Sequence, residues 1–420
     1  MCIFLWHHSS PNYTRFSGQT RHKVLKLLGK NTRASKYCSA ILNCTFVSVC
    51  SLALLLAAAC SPLPPPTSDP PSIRFEVFRG ESPGADERRA VCSWYADARE
   101  GVLYFGVSAF WQGLRDSGSP LGVLEGQGPQ VIGRFDLERR AFLPALTLAR
   151  GRAAGVWDVL AHDNGRLYFS VFYGVSGFRD LESGAVQRFD QLGKGLNEWA
   201  RGPAGTLFVT RYAAAENAGG ALLWIDLDGN LLGQFSLGSE GSDERVLPKS
   251  VAWDPGRQLA WVTSDQLPAA AGASGHPTLV LDLAGAQLAR IDDVEVQILA
   301  FAGDATGYFA VATGNGLELF VLPPGNPKAD LAGARRILLD PLFDRRLDFA
   351  QGIEVGETGR VLVTTWSGRV FAVDPKSFAV ETIAFPRLHA GGLYYAAATY
   401  RGTTCASYCA GVGVVCTADE

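Results

Sequence analysis

From residue 73 onward, short apolar runs alternate with turn-forming residues, and the pattern is cleanest over Gly352–Phe385. Four runs rich in Val, Ile, Thr and Phe lie there: Ile353–Val355, Val361–Trp366, Val370–Val373 and Ala379–Ala384. Gly356–Gly359, Ser367-Gly368 and Asp374–Ser377 separate them. Runs this short, rich in β-branched residues and bounded by Gly, Pro, Asp and Ser, read as strands. Four of them joined by tight turns make an up-and-down meander, the unit of a β-propeller blade.

Imperfect copies begin at Val91, Gly155, Leu196, Lys249, Val296, Gln351 and Gly392, spaced 41 to 64 residues apart. That range suits propeller blades carrying loop insertions. Five copies place an Asp after the third run: Asp136, Asp180, Asp226, Asp282 and Asp374. An Asp carboxylate there accepts backbone N–H groups in an Asx-turn, which is a structural role. The last copy ends after three strands, with Asp419 in the turn position, and a blade without its outer strand would leave an open edge. Ile73–Phe78 alternates at period two and supplies the missing strand. The expected fold is all-β, a seven-bladed β-propeller closed by an N-terminal strand; six blades is the alternative if the C-terminal residues pack otherwise.

Cysteine usage bears on that closure. After Cys60 the chain has Cys92, Cys405, Cys409 and Cys416, an even number, as suits an exported domain. Four cysteines allow three pairings, and the blade alignment favours Cys92–Cys409 across the seam with Cys405–Cys416 between strands. A structural zinc site is the other reading, but no C-x-x-C spacing supports it.

In a meander, connections after strands two and four project from one face. The long insertions Ala109–Gln130, Tyr212–Ala221 and Asp265–Pro277 follow strand two; Ser236–Pro248 and Asp340–Ala350 follow strand four. All therefore rim one mouth of the central channel, where long loops on a rigid scaffold form binding sites. Residues beginning strand one or ending strand two should line it. Trp157, Asp158, Asn197, Glu198, Arg211, Gln351, Trp366 and His389 are the candidate ligand-binding residues, with Lys249 and Asn315 on the wider rim. Such a set suits a polar ligand such as a glycan or peptide. Asp158, Asn197 and Glu198 are the candidate ligands for a divalent cation.

Charge divides the chain. Residues 1–60 carry seven basic residues and no acid, leaving 31 of the 38 basic residues against all 41 acidic ones in the remainder. An acidic body excludes nucleic acid and electrostatic adhesion to anionic membranes as functions. The basic N-terminal stretch leads into the apolar segment Ala40–Ala59 and then Cys60, the layout of an export signal. Ala57-Ala58-Ala59-Cys60 resembles the lipobox of bacterial lipoproteins, in which the Cys is lipidated; Ala57 stands where that family usually has Leu. The resemblance implies a lipid-anchored monomer, held by Cys60 and sorted to the outer membrane by Ser61, within the bacterial cell envelope. Residues 1–60 then form the signal, 61–72 a Pro-rich tether of polyproline character, and 73–420 one propeller domain.

The stretches Pro248–Ser264, Leu196–Thr210 and Gly352–Pro375 resemble repeats of the NHL, YVTN and gluconolactonase-like propellers. In the gluconolactonase-like enzymes a channel Glu, two Asn and an Asp hold a divalent metal, and Asn197 resembles one such Asn. The family's Glu-Gly-Pro is replaced here by Cys92-Ser93-Trp94. No GxSxG, HExxH, P-loop or dinucleotide fingerprint is present. The expected function is therefore a binding or scaffold module for a protein, peptide or glycan, without a cofactor. The alternative is a Ca²⁺- or Zn²⁺-dependent hydrolase on the channel axis.

Overall fold

The computed structural model describes residues 75–79, 96–107, 130–149, 156–171, 174–212, 220–237, 246–266, 276–325, 330–345, 347–356, 359–388, 393–409 and 412–418. The chain divides into two compact units, Met1–Pro71 and Ser72–Glu420, and every described residue belongs to the second. Cys60, Cys92, His389 and Asp419 lie outside the described residues.

The strands form seven four-stranded antiparallel sheets. β1 is Phe75–Arg79. Blade 1 follows with β2 Ala96–Arg99, β3 Val102–Val107, β4 Gln130–Asp136 and β5 Ala141–Ala149. Blade 2 holds β6 Asp158–Ala161, β7 Arg166–Ser170, β8 Gly177–Asp180 and β9 Val186–Arg188. Blade 3 holds β10 Leu196–Arg201, β11 Leu207–Arg211, β12 Ala221–Ile225 and β13 Leu231–Ser236. Blade 4 holds β14 Val246–Asp254, β15 Leu259–Gln266, β16 Thr278–Leu281 and β17 Gln287–Ile291. Blade 5 holds β18 Glu295–Phe301, β19 Gly307–Thr313, β20 Gly316–Leu322 and β21 Arg335–Asp340. Blade 6, the cleanest copy in the sequence, is β22 Ala350–Val355, β23 Val361–Thr365, β24 Arg369–Val373 and β25 Val380–Ala384. Blade 7 takes β26 Leu393–Tyr400, β27 Thr403–Cys409 and β28 Val412–Thr417, with β1 as its outer strand.

Burial follows position in the blade. β23 is buried along its whole length, whereas β25 buries only Ile383 among its five residues. Second strands are covered on both faces by neighbouring blades, and outer strands meet solvent. Seven apolar clusters result, one for each seam between adjacent blades. In the seam between blades 2 and 3, Tyr168 and Phe178 meet Trp199, Leu207 and Leu223, and the Tyr168 and Trp199 rings lie 5.8 Å apart.

The turns carry the chemistry their residues suggest. Asp226 Oδ1 accepts the backbone N–H groups of Asp228 and Asn230 at 2.9 and 2.8 Å, and Asp374 Oδ1 accepts those of Lys376 and Ser377. Asp136, Asp180 and Asp282 do the same. The N–H groups donated by Ser183 and Ser377 hold the Asp180 and Asp374 carboxyls below the usual range. Blade 5 has no such Asp and turns at Pro323-Pro324 instead. Gly165 sits at φ +78° before β7, where Gln258 takes φ +59° before β15 at a cost of about 1 kcal/mol.

Ring closure joins the two ends of the domain. β1 pairs antiparallel with β28 from Phe75 opposite Thr417 to Arg79 opposite Gly413. Ile73 lies outside the described residues, and the Phe78 ring packs 5.1 Å from Phe135 of blade 1. Cys405 and Cys416 are directly opposed on β27 and β28 and form a disulfide with Cα atoms 4.0 Å apart. Both are buried in the seam between blades 7 and 1. The Cys92–Cys409 pairing lies outside the described side chains. Replacing both Cys405 and Cys416 by Ala should lower stability by about 2–4 kcal/mol, measured as a loss in urea unfolding free energy. An unchanged midpoint would remove the closure role assigned to this bond.

Candidate functional site

The polar residues at the channel mouth arise from one repeated backbone irregularity. Five inner strands shift register against their second strand near the mouth. The shifts fall between Leu196 and Trp199, Pro248 and Ser250, Val296 and Ile298, Ala350 and Gly352, and Tyr394 and Ala397. The residues inside these bulges include Asn197, Glu198, Lys249, Gln297, Gln351 and Tyr395. A bulge re-aims side chains that a regular strand would direct into the seam.

Most of these groups bond to the adjacent blade. Asn197 Nδ2 donates to the Lys249 carbonyl at 2.8 Å, and Ser170 Oγ donates to the Asn197 carbonyl at 2.6 Å. Ser250 Oγ donates to Glu198 Oε1 at 3.0 Å. The Ala350 N–H donates to Gln297 Oε1 at 2.6 Å, which joins blades 5 and 6. Gln351 is fully buried. At Gly352, a Cβ would lie 2.5 Å from the Tyr395 carbonyl oxygen, so only glycine allows blades 6 and 7 to approach this closely.

Asp158 is the most deeply committed of the set. Its Oδ1 accepts the Val159 N–H and its Oδ2 accepts the Trp199 N–H of blade 3, both at 2.7 Å. Burial raises its carboxyl to about 8, against the opposing effect of the Trp199 and Val159 N–H donors. The Trp157 indole donates from Nε1 to Asn197 Oδ1 and packs against the apolar cluster between blades 5 and 6. Those blades face blade 2 across a seven-membered ring, so the indole lies across the axis. Lys249 Nζ stands 3.1 Å from the centroid of Phe349, and the Phe349 and Trp366 rings are 5.3 Å apart. Packed side chains thus occupy the mouth end of the channel.

Two ionisable groups on the mouth half stand apart from this bonding. Arg211, at the end of β11, is half-buried; its Nε is enclosed and meets no acceptor among the described residues, and burial lowers its pKa. Glu318 on β20 is buried, and its Oε2 meets no donor. Glu318 was not among the sequence candidates, although a carboxylate inside Leu317–Leu322 is a visible anomaly in an apolar run.

The proposed metal ligands do not fit a metal-holding set. Both Asp158 oxygens and the Asn197 side-chain oxygen are engaged by N–H donors, and Glu198 Oε1 accepts from Ser250. Among the described residues, no group of three or more His, Cys, Asp or Glu side chains is placed to hold a metal ion.

Solved structures similar to this chain are propellers. A catalytically inactive virginiamycin B lyase from Staphylococcus aureus, solved with quinupristin, matches at a TM-score of 0.54 and 12% identity, covering 82% of this chain and 100% of that one. The β-propeller domain of Cps50 (Swd1) from Myceliophteria thermophila matches at 0.52 and 10% identity, covering 83% and 100%. The likeness is one of fold. No family model matches the chain, and no curated protein matches it.

The buried Asp158 carboxyl gives a pH signature. A folded-state pKa raised to about 8 means that its contribution is fully present below about pH 4 and is lost as pH rises through 8. Asp158→Asn should flatten that decline in urea midpoints measured from pH 5 to 9, whatever constant offset it introduces. An equally steep decline in the variant would mean that Asp158 does not titrate in this window.

Proposed function

We propose that the propeller is a binding module that presents its loop-rich mouth face to a protein, peptide or glycan partner. The observation that carries this reading is the placement of connections. Second strands run toward the mouth, so 108–129, 212–220 and 267–277 emerge there, as do 237–245 and 341–349 after fourth strands. On the opposite face the strands are joined by short turns, with 323–334 the largest connection. The channel mouth itself is occupied by Trp157, Lys249 and Phe349. This favours recognition on the rim over chemistry on the axis.

The repeats are read as those of the NHL, YVTN and gluconolactonase-like group, used here for binding. The signal and Cys60 are read as a lipoprotein export and anchoring device. The protein is then a monomer on the outer membrane of a bacterial cell envelope, tethered through residues 61–72. One acyl-modified residue explains membrane residence for a body whose net charge is negative.

Two measurements test this. Replacing 267–275 by a short Gly-Ser linker should abolish partner cross-linking in envelope preparations, while the same replacement of 326–329 on the opposite face leaves it intact. Both variants should keep the native far-ultraviolet spectrum; the reverse cross-linking pattern would move the binding face. Cys60→Ala should shift the protein from the membrane to the soluble fraction and remove acyl labelling. Persistent acyl labelling in that variant would sink the assignment of Cys60.

A further inference from the structure

Among the described residues, the guanidinium of Arg211 at the mouth meets no acid, and its Nε meets no acceptor. Its register partners are Leu196 and Ala221, both buried in the seam between blades 2 and 3. Alternation along β11 sends Leu207 and Val209 into that seam and places Arg211 above them, at its mouth end. Of the described acids at the mouth end of blades 2 and 3, Asp158 is engaged by the Val159 and Trp199 N–H groups and Glu198 by Ser250; Glu216, the acid nearest in the chain, lies outside the described residues. A guanidinium stays protonated, so it cannot escape the cost of partial burial by losing its charge. Leaving such a group unpaired is unfavourable, and an arriving anion would repay the cost.

We propose that Arg211 anchors a carboxylate of the ligand bound at the mouth face. This deepens the binding reading above and rests on it. One guanidinium fork matches the geometry and the single charge of a carboxylate through two parallel N–H···O bonds. A phosphate dianion would require more positive charge than this seam supplies, in a body that is acidic as a whole. The Arg211 backbone is fixed by pairing on both sides of β11, with Leu196 and Ala221.

The test is thermal unfolding of the purified protein with three probes at matched ionic strength: trialanine with a free C-terminus, C-terminally amidated trialanine, and inorganic phosphate. Free trialanine should give a saturable rise in midpoint of about 2 °C at ten times its half-saturating concentration. The amidated peptide and phosphate should give none. Arg211→Met should abolish the rise and leave the ligand-free midpoint equal or higher, since it removes an unpaired, partly buried charge. Arg211→Lys, which keeps the charge and loses the fork, should raise the half-saturating concentration at least tenfold. A phosphate response of the same size, no response in the native protein, or a retained response in Arg211→Met would each overturn the proposal. The 267–275 replacement in blade 4 separates the two readings. A carboxylate response that survives it while cross-linking persists counts against the loop-face reading alone.

Discussion

A four-stranded blade has two apolar faces and can bury neither by itself. Everything else in this domain follows from that requirement. Each seam packs one blade's alternate side chains against those of the next, and seven such clusters exist because seven blades must each be covered twice. A ring is the arrangement that leaves no face uncovered. The last seam, between blades 7 and 1, is flanked by β1 paired with β28. Phe78, the Cys405–Cys416 disulfide and the Phe135 ring then complete it. Stability of the whole domain therefore converges on the closure blade, where contacts join residues more than 300 positions apart.

Packing side chains into seams leaves the inner edges of the blades to be joined by polar groups. The bulges at Asn197 and Gln297 do this by turning side chains sideways, so that their amides satisfy the backbone of the neighbouring blade. Polar residues at a propeller mouth are thus divided between two tasks. Asp158, Asn197 and Gln297 hold blades together, whereas Arg211 makes no comparable contact among the described residues. The distinction lies in hydrogen-bond accounting, and residue type alone does not reveal it.

That division explains what could be read from the sequence. The meander of Gly352–Phe385 was legible because strand length, β-branching and turn residues all agree there. Asp374 was legible as a turn residue because an Asx-turn is local, needing only the next three residues. The closing role of the strand that holds Phe75–Phe78 was legible from a missing strand and a period-two pattern. The bonds of the mouth were not. Asp158 meets Trp199 41 positions away, and Trp157 reaches Asn197 and the cluster between blades 5 and 6. Those contacts depend on how far each inner strand slips at its bulge, which no local pattern encodes. Glu318 escaped notice because the repeat assigns its position to the apolar interior.

The register of β1 also fixes a mechanical polarity. Phe75 pairs with Thr417 at the end of a third strand, so β1 runs from the face of short turns toward the mouth. A pull on the N-terminal end of β1 along its own axis meets its ladder with β28 lengthwise. The β1–β28 ladder then carries load in shear, with its five residue pairs resisting together, and not by peeling one pair at a time.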